Sequence, residues 1–257
     1  MHVDIDRFAH FDSPVHRWDQ RYKMAGIFLL ILVISMLSNL VILCCSIFLA
    51  VLCLLISRIP PSQAARTILY PLLLLVPLFL FLPLTAGGAH VSLHGIPVYT
   101  DGLLLSARIA MKALCIITLF IVMMGTSPFT TSMKALRSLK VPSSMVDLIM
   151  FTYRYIFIYL DDLRALRHSL VLKGYRSRTS RHSFRTSAYL VGSLMVRSFE
   201  QTDRMFNAMT CRGYTGEVKT ITEFDPNSTD LLKLVAVILA AIILAGFEMT
   251  VMNRGIL

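Results

Sequence analysis

Residues 24–56 form an uninterrupted stretch of 33 residues without a charged side chain. A helix crosses the apolar core of a bilayer with about 20 residues, so this stretch is too long for one crossing and short for two. Ser38 and Asn39, near its middle, favour a turn. The stretch therefore predicts a hairpin of two short helices and places the chain in a membrane.

Three further apolar runs are each long enough for one crossing. They cover residues 67–84, 102–125 and 231–252. Pro71, Pro77 and Pro83 interrupt the first run, and we expect them to kink its helix or break its ends. Residues 85–101 contain glycine and proline and predict a loop. In the whole chain 56% of residues are hydrophobic and 16% charged, against about 45–50% and 25% in soluble domains, so we predict an all-α membrane protein with about five transmembrane helices.

Basic residues are unevenly distributed along the chain. Of the 25 Lys and Arg residues, 15 lie in residues 127–230, whereas residues 85–101 contain none. Because Lys and Arg are retained on the cytoplasmic side, the N-terminus and residues 127–230 are predicted to be cytoplasmic and the C-terminus outside. We divide the chain into an N-terminal interfacial segment with four transmembrane helices (1–126), a cytoplasmic module (127–230) and a last transmembrane helix (231–257).

The cytoplasmic module is predicted to contain one short and two long amphipathic helices. They cover Thr130–Leu139, a helix from Ser144 to about Lys173, and a helix from about Ser183 to Arg212. Val141-Pro142 should end the short helix. Ser144 and Asp147, three residues apart, predict a capping box at the start of the first long helix.

Apolar side chains recur at 4-3-4-3 spacing in the second long helix. They are Met195, Phe199, Thr202, Phe206 and Met209, here called the apolar stripe. This spacing places them on one helix face. Methionine adapts to surfaces of different shape, so the stripe is a candidate docking surface.

One short pattern ends both long helices: Lys173-Gly174-Tyr175 and Arg212-Gly213-Tyr214. A glycine just past a helix end and a cation in its last turn are also what an ordinary helix cap requires. The repetition, however, favours a second role. A cation at a helix tip, backed by the apolar stripe, would fit an acidic-rimmed groove on a partner.

Several site types find no support in the sequence. There is no G-x-x-x-x-G-K-[ST] phosphate loop and no H-E-x-x-H or G-x-S-x-G motif, so we expect no catalytic residues. His2, His10 and His16, like His90 and His94, match no compact metal-ligand spacing, and we expect no metal site. The charged side chains Arg108, Lys112 and Glu248 lie near the ends of apolar runs, where snorkelling towards the membrane surface would accommodate them.

Three places in the chain resemble the transmembrane T component of energy-coupling factor (ECF) transporters, most closely the cobalt-type members called CbiQ. Residues 13–23, SPVHRWDQRYK, are similar to the family's SPLHRLDPR-x-K motif, with Trp18 for the usual Leu and Gln20 for the usual Pro. Residues 135–142, ALRSLKVP, are similar to its LR-x-L-x-VP motif. The two basic-Gly ends complete the resemblance, although Lys173 stands where Arg is usual.

The resemblance implies a scaffold subunit that catalyses nothing and lies in the bacterial plasma (inner) membrane. Two ATPase subunits, which bind ATP and Mg²⁺, would contact the two helix tips, and a substrate-capture membrane subunit would pack against the scaffold. Cobalt(II) would be the transported ion. Three alternatives remain open: the same role for nickel or a vitamin, an intramembrane enzyme, and a nucleic-acid binder using the basic residues 175–185. The last is disfavoured because a charge run beside a bilayer is ordinarily solvated or lipid-facing.

Overall fold

The computed structural model describes residues 13, 15–16, 18–85, 90–93, 96–176, 178–216 and 228–253. Within these residues the chain forms eight helices and one short β-hairpin. The helices are α1 (Gln20–Met36), α2 (Leu40–Ser57), α3 (Pro61–Thr85), α4 (Thr100–Gly125), α5 (Phe129–Ser138), α6 (Ser143–Leu172), α7 (Arg181–Cys211) and α8 (Ser228–Asn253). The hairpin pairs β1 (His90–Leu93) antiparallel with β2 (Ile96–Tyr99). The predicted all-α membrane protein is confirmed.

Four helices of the described part are long and apolar enough to cross a membrane. They include Leu40–Ser57, Ala64–Pro83, Gly102–Gly125 and Thr229–Val251. α1 has 17 residues and is about 26 Å long. It is the shortest of the five helices that were predicted to cross the membrane. The predicted turn at Ser38-Asn39 is confirmed, because α1 ends at Met36 and α2 begins at Leu40.

One expectation about the segment between α2 and α4 was wrong. The region predicted as loop contains the β1–β2 hairpin, whose strands lie on either side of residues 94–95. α3 runs continuously from Pro61 to Thr85 through its three prolines, which therefore do not break it, and a kink at these prolines stays a prediction. α3 begins at Pro61, before the predicted start at residue 67, so residues 58–60 connect α2 with α3.

The chain divides into two compact units. Unit 1 contains residues 1–135 and 223–257, and unit 2 contains residues 136–222. In unit 1, α4 packs against α1, α2 and α3, and α1 also packs against α8. Buried apolar side chains from three helices form this packing, among them Ile34, Leu43, Leu119 and Val122.

α1 and α8 approach each other closely at Gly26. A Cβ atom added to Gly26 would lie 3.1 Å from Leu234 Cδ1 and 3.5 Å from Val237 Cγ1. Small residues allow such close approach between membrane helices. The first and last helices of the chain are therefore neighbours in unit 1.

Unit 2 contains the long helices α6 and α7, which run antiparallel. Tyr159 Oη donates to the Ser198 carbonyl over 3.4 Å, and Tyr155 Oη, one turn earlier in α6, contacts Met205 Sδ, two turns later in α7. Unit 2 also contains the last residues of α5. With 30 residues, α6 is about 45 Å long.

Candidate functional site

The end of α6 is closed by two backbone hydrogen bonds. Gly174 N–H donates to the Val171 carbonyl and Tyr175 N–H donates to the Leu170 carbonyl, each over 3.0 Å. Gly174 has φ +81°, a left-handed conformation that glycine adopts without the penalty of a Cβ atom. This pair of bonds is the Schellman motif, which satisfies carbonyls that a helix end leaves without partners.

The end of α7 repeats this geometry. Gly213 N–H donates to the Thr210 carbonyl and Tyr214 N–H donates to the Met209 carbonyl, again over 3.0 Å each. Gly213 has φ +82°. The two basic-Gly-Tyr patterns of the sequence are therefore two copies of one local structure.

Both tip cations are the last residue before the glycine and are exposed. Lys173 and Arg212 occupy the C-cap positions of α6 and α7. Within the part of the chain that the structure describes, neither pairs with a carboxylate. A cation at this position lies near the negative end of the helix dipole, and its own charge remains available to an acidic partner.

The two tyrosines that follow the glycines differ in their contacts. Tyr175 Oη donates to the Ser183 carbonyl over 3.2 Å and accepts from Ser183 Oγ over 2.6 Å. Ser183 is buried in the first turn of α7. Tyr175 therefore fixes the α6 tip to the start of α7, while Tyr214 is half-buried beside the α7 tip.

The apolar stripe is largely exposed, although Thr202, Phe206 and Met209 also line a cavity with residues of α6. Met195, Phe199 and Phe206 are 67%, 74% and 57% exposed, and Met209, at the end of the stripe, is half-buried. Such large apolar side chains in contact with water indicate an interaction surface or a lipid-facing one. The side of α7 that is partly covered contains Ser198 and Met205, which contact α6.

The N-terminal motif forms a buried polar network that sequence analysis missed. Lys23 is fully buried, and its Nζ donates to Thr126 Oγ1 over 2.7 Å and to Ser127 Oγ over 2.6 Å. Ser127 Oγ donates to Gln20 Oε1 over 2.6 Å, and Gln20 Nε2 donates to Ser132 Oγ over 2.9 Å. The N-terminal motif is the one sequence signal that marks Gln20 and Lys23. Their partners lie more than 100 positions away, so no local pattern predicts the network.

Lys23 lies just before the apolar run of residues 24–56. Its amino group donates to two hydroxyl groups, those of Thr126 and Ser127. The network can therefore hold Lys23 without a carboxylate partner.

The rest of the motif fixes the start of α1. The Asp19 side chain caps α1 by accepting from Arg21 N–H over 2.9 Å. Trp18 Nε1 donates to the carbonyl of Asp230, in the first turn of α8, over 3.2 Å. The motif thus joins the start of α1 to the start of α8 within unit 1.

The α1–α2 turn is closed by two charged side chains from other helices. Lys112 Nζ donates to the Ser35 carbonyl over 2.9 Å, and Glu248 accepts from Ser38 N–H over 2.7 Å and Asn39 N–H over 3.4 Å. The cation lies at a helix C-terminus and the anion at a helix N-terminus, as the helix dipoles favour. Lys112 and Glu248 therefore have hydrogen-bond partners within unit 1 that the snorkelling interpretation did not include.

The predicted capping box at Ser144 and Asp147 was also wrong. α6 begins at Ser143, its N-cap is Pro142, and no side chain caps it. Asp147 is buried and its Oδ1 lies 3.6 Å from Arg137 Nη1, in the last turn of α5. The arginine binds the carboxylate that a capping box would have required.

Nothing in the described residues resembles a metal centre. No group of three or more His, Cys, Asp or Glu side chains is placed to hold a metal ion there. His2, His10 and His94 lie outside the described residues. His16 Nδ1 forms a 2.6 Å hydrogen bond with Ser13 Oγ instead.

The apolar helices are those of a multi-pass membrane protein, and comparison with known proteins gives its family. The model of the CbiQ family, cobalt transport protein, matches residues 11–223. The chain therefore belongs to the CbiQ family of T components of ECF transporters.

Individual relatives are distant but cover much of the chain. The cobalt transport protein CbiQ of Rhodobacter capsulatus is 25% identical over 168 residues, which is 63% of this chain and 68% of the relative. The ECF transporter transmembrane protein EcfT of Bacillus selenitireducens is 27% identical over 226 residues, covering 83% and 84%. The EcfT protein of Staphylococcus aureus is 26% identical over 257 residues, covering 93% and 95%.

Proposed function

We propose that this chain is the non-catalytic coupling scaffold of an ATP-driven cobalt(II) importer. Two ATPase subunits, with ATP and Mg²⁺, contact the tips at Lys173 and Arg212, and a separate membrane subunit captures the substrate. The observation that supports this most directly is the pair of identical glycine caps, each presenting an exposed cation at the end of a long helix. Two helix tips of the same local structure would each bind one of two similar ATPase subunits.

Cobalt(II) is proposed as the substrate because the family model and the Rhodobacter relative are described as cobalt transport proteins. The EcfT relatives match over more of the chain, and their printed names specify no substrate. Nickel or a vitamin is therefore the second candidate. The described residues supply no ligand group for an ion, which is consistent with substrate selection by another subunit.

Affinity purification of the tagged full-length chain from its host membranes tests this proposal. We expect two ATPase copies and one further membrane protein to be recovered with it, and cells containing the complex to accumulate ⁵⁷Co²⁺. Recovery of the chain without any ATPase would refute the scaffold role. Competition of ⁵⁷Co²⁺ uptake by excess Ni²⁺ separates the two metals, and a lack of metal uptake together with normal ATPase recovery would indicate a vitamin.

We also propose that the N-terminus and unit 2 face the cytoplasm of a bacterial inner membrane, with the C-terminus outside. The basis is the excess of Lys and Arg in residues 127–230. Cysteine placed at Ser180, in a background without the five native cysteines, should react with a membrane-impermeant maleimide only after the cells are opened. Cysteine at Ser92 should react in intact cells, and labelling of position 180 in intact cells would contradict the orientation.

A further inference from the structure

A cavity of about 610 Å³ opens between α1 and α8 beside the α1–α2 turn, within unit 1. Cavities of this size hold one small organic ligand or part of a larger one. The lining combines apolar and polar residues, among them Leu32, Met36, Ala245, Ser38, Asn39 and Glu248.

The apolar and polar parts of the lining are separated along the helix axes. Leu32 lies four residues before Met36, where α1 ends, which is about 6 Å along the axis. Ala245 likewise precedes Glu248 by about one turn of α8. The apolar span of α8 ends at Val251, so Glu248 lies close to the level at which the hydrocarbon core meets the headgroups. The apolar part of the cavity therefore lies at the depth of the acyl chains.

Glu248 has acceptor positions beyond those that the turn uses. Its Oε1 accepts from Ser38 N–H and its Oε2 from Asn39 N–H, whereas a carboxylate offers about four acceptor positions. In the part of the chain that the structure describes, Glu248 forms no ion pair with a Lys or Arg. Its negative charge is therefore available to a cationic group of a ligand.

Two hydrogen-bond donors lie next to this carboxylate in the chain. Asn39 Oδ1 accepts from Val41 N–H over 3.1 Å, which leaves Nδ2 as a donor. Neither Asn39 Nδ2 nor Ser38 Oγ has a hydrogen-bond partner among the described residues, and both residues line the cavity. A carboxylate beside two donors is complementary to a headgroup that contains an ammonium and a phosphate.

The lining favours a primary ammonium over the other common headgroups. Phosphatidylglycerol has a negative charge and no amine, so Glu248 would repel it. The quaternary ammonium of phosphatidylcholine has no N–H to donate and is ordinarily bound by aromatic rings. None of the ten described residues that line the cavity is aromatic, whereas a primary ammonium can donate three hydrogen bonds.

We propose that this cavity binds one molecule of phosphatidylethanolamine from the surrounding bilayer. Its ammonium binds Glu248, its phosphate accepts from Ser38 and Asn39, and an acyl chain packs against Leu32 and Ala245. The bound lipid then joins α1 to α8 beside the α1–α2 turn. This site requires neither the transported substrate nor the ATPase contacts proposed above.

The test uses the purified, delipidated full-length chain in detergent, and native mass spectrometry counts bound phosphatidylethanolamine, phosphatidylglycerol and phosphatidylcholine. Glu248→Gln removes the charge and retains an amide oxygen for the turn, whereas Ala245→Phe fills the apolar part of the cavity. The matched controls are Glu200→Gln in α7 and Ala236→Phe in α8, both at exposed positions outside the cavity. Thermal stability without lipid is measured for each variant.

We expect the wild type and both controls to bind one phosphatidylethanolamine about tenfold more tightly than the other two lipids, because a hydrogen bond to a charged group supports a difference of this size. Glu248→Gln should lose most of this preference, and Ala245→Phe should bind none of the three lipids selectively. Equal binding of the three lipids by the wild type would overturn the site, as would an unchanged preference in Glu248→Gln.

Two further outcomes are decisive. If Glu248→Gln does not fold, Ala245→Phe decides, and selective phosphatidylethanolamine binding by that variant would overturn the site. The same count on the complex purified with its partner subunits tests a protein as the occupant. Loss of the lipid from the wild-type complex, together with loss of the other membrane protein from the Ala245→Phe complex, would assign the cavity to that protein and overturn the lipid site.

Discussion

Replacing Lys173 and Arg212 together by alanine is expected to abolish recovery of the ATPase subunits with this chain. Each side chain is the exposed C-cap cation of a long helix, and removal of one partner of a buried charge pair at an interface typically costs about 2–5 kcal/mol. Even the lower value corresponds to more than a tenfold loss of affinity per tip. Arg212→Glu should be more damaging than Arg212→Ala, because it adds like-charge repulsion to an acidic-rimmed groove.

The glycines provide the control for this experiment. Gly213→Ala places a Cβ atom on a residue with φ +82° and nothing within 4 Å, so it strains the cap by about 1 kcal/mol and leaves the cation in place. Lys173→Arg should be tolerated and supplies a second control. Normal ATPase recovery with the double alanine variant, at unchanged chain level, would show that the tips are caps without a coupling role.

Phe199→Asp is expected to prevent assembly of the transporter while leaving the chain folded. Phe199 belongs to the apolar stripe and is 74% exposed, so an aspartate there meets water in the isolated chain. In an assembled interface the aspartate would place a buried charge at a position where the wild-type chain has an aromatic side chain. Interface residues of this kind cost at least about 2 kcal/mol when truncated, or roughly 30-fold in affinity.

Ser193→Asp is the matched control, because it adds the same charge to an exposed position of α7 that lies off the stripe. Co-purification of the ATPases and the capture subunit, beside the thermal stability of the purified chain, separates assembly from folding. A Phe199→Asp chain that assembles and transports like the Ser193→Asp chain would mean that the stripe contacts lipid only.

The elements that the sequence predicted well are those with local causes. The turn at Ser38-Asn39 and the bounds of α5, α6 and α7 follow from run length, helical periodicity and glycine, which act within a few residues. The glycine caps at Gly174 and Gly213 have the same origin. Their role as coupling tips concerns partners outside this chain and stays a prediction.

The contacts that the sequence did not predict join residues far apart in the chain. Glu248 caps a turn 209 and 210 positions away, and the partners of Lys23 lie 103 and 104 positions away. No local pattern specifies such pairs. The capping box failed for a local reason: α6 begins at Ser143, one residue before the predicted cap, and Asp147 lies 3.6 Å from Arg137 of the preceding helix.

The pairing of α1 with α8 has a consequence for biosynthesis. The ribosome synthesises α1 first, yet three of its contacts are with α8, the last helix. They are the packing of Gly26, the bond from Trp18 to the Asp230 carbonyl, and the bonds of Glu248 to the α1–α2 turn. Synthesis proceeds at about 5–20 residues per second, so about 200 residues of translation separate the two, and α1 waits for ten seconds or more. During that interval the membrane must hold an unfinished bundle, and a chain truncated before α8 never completes it.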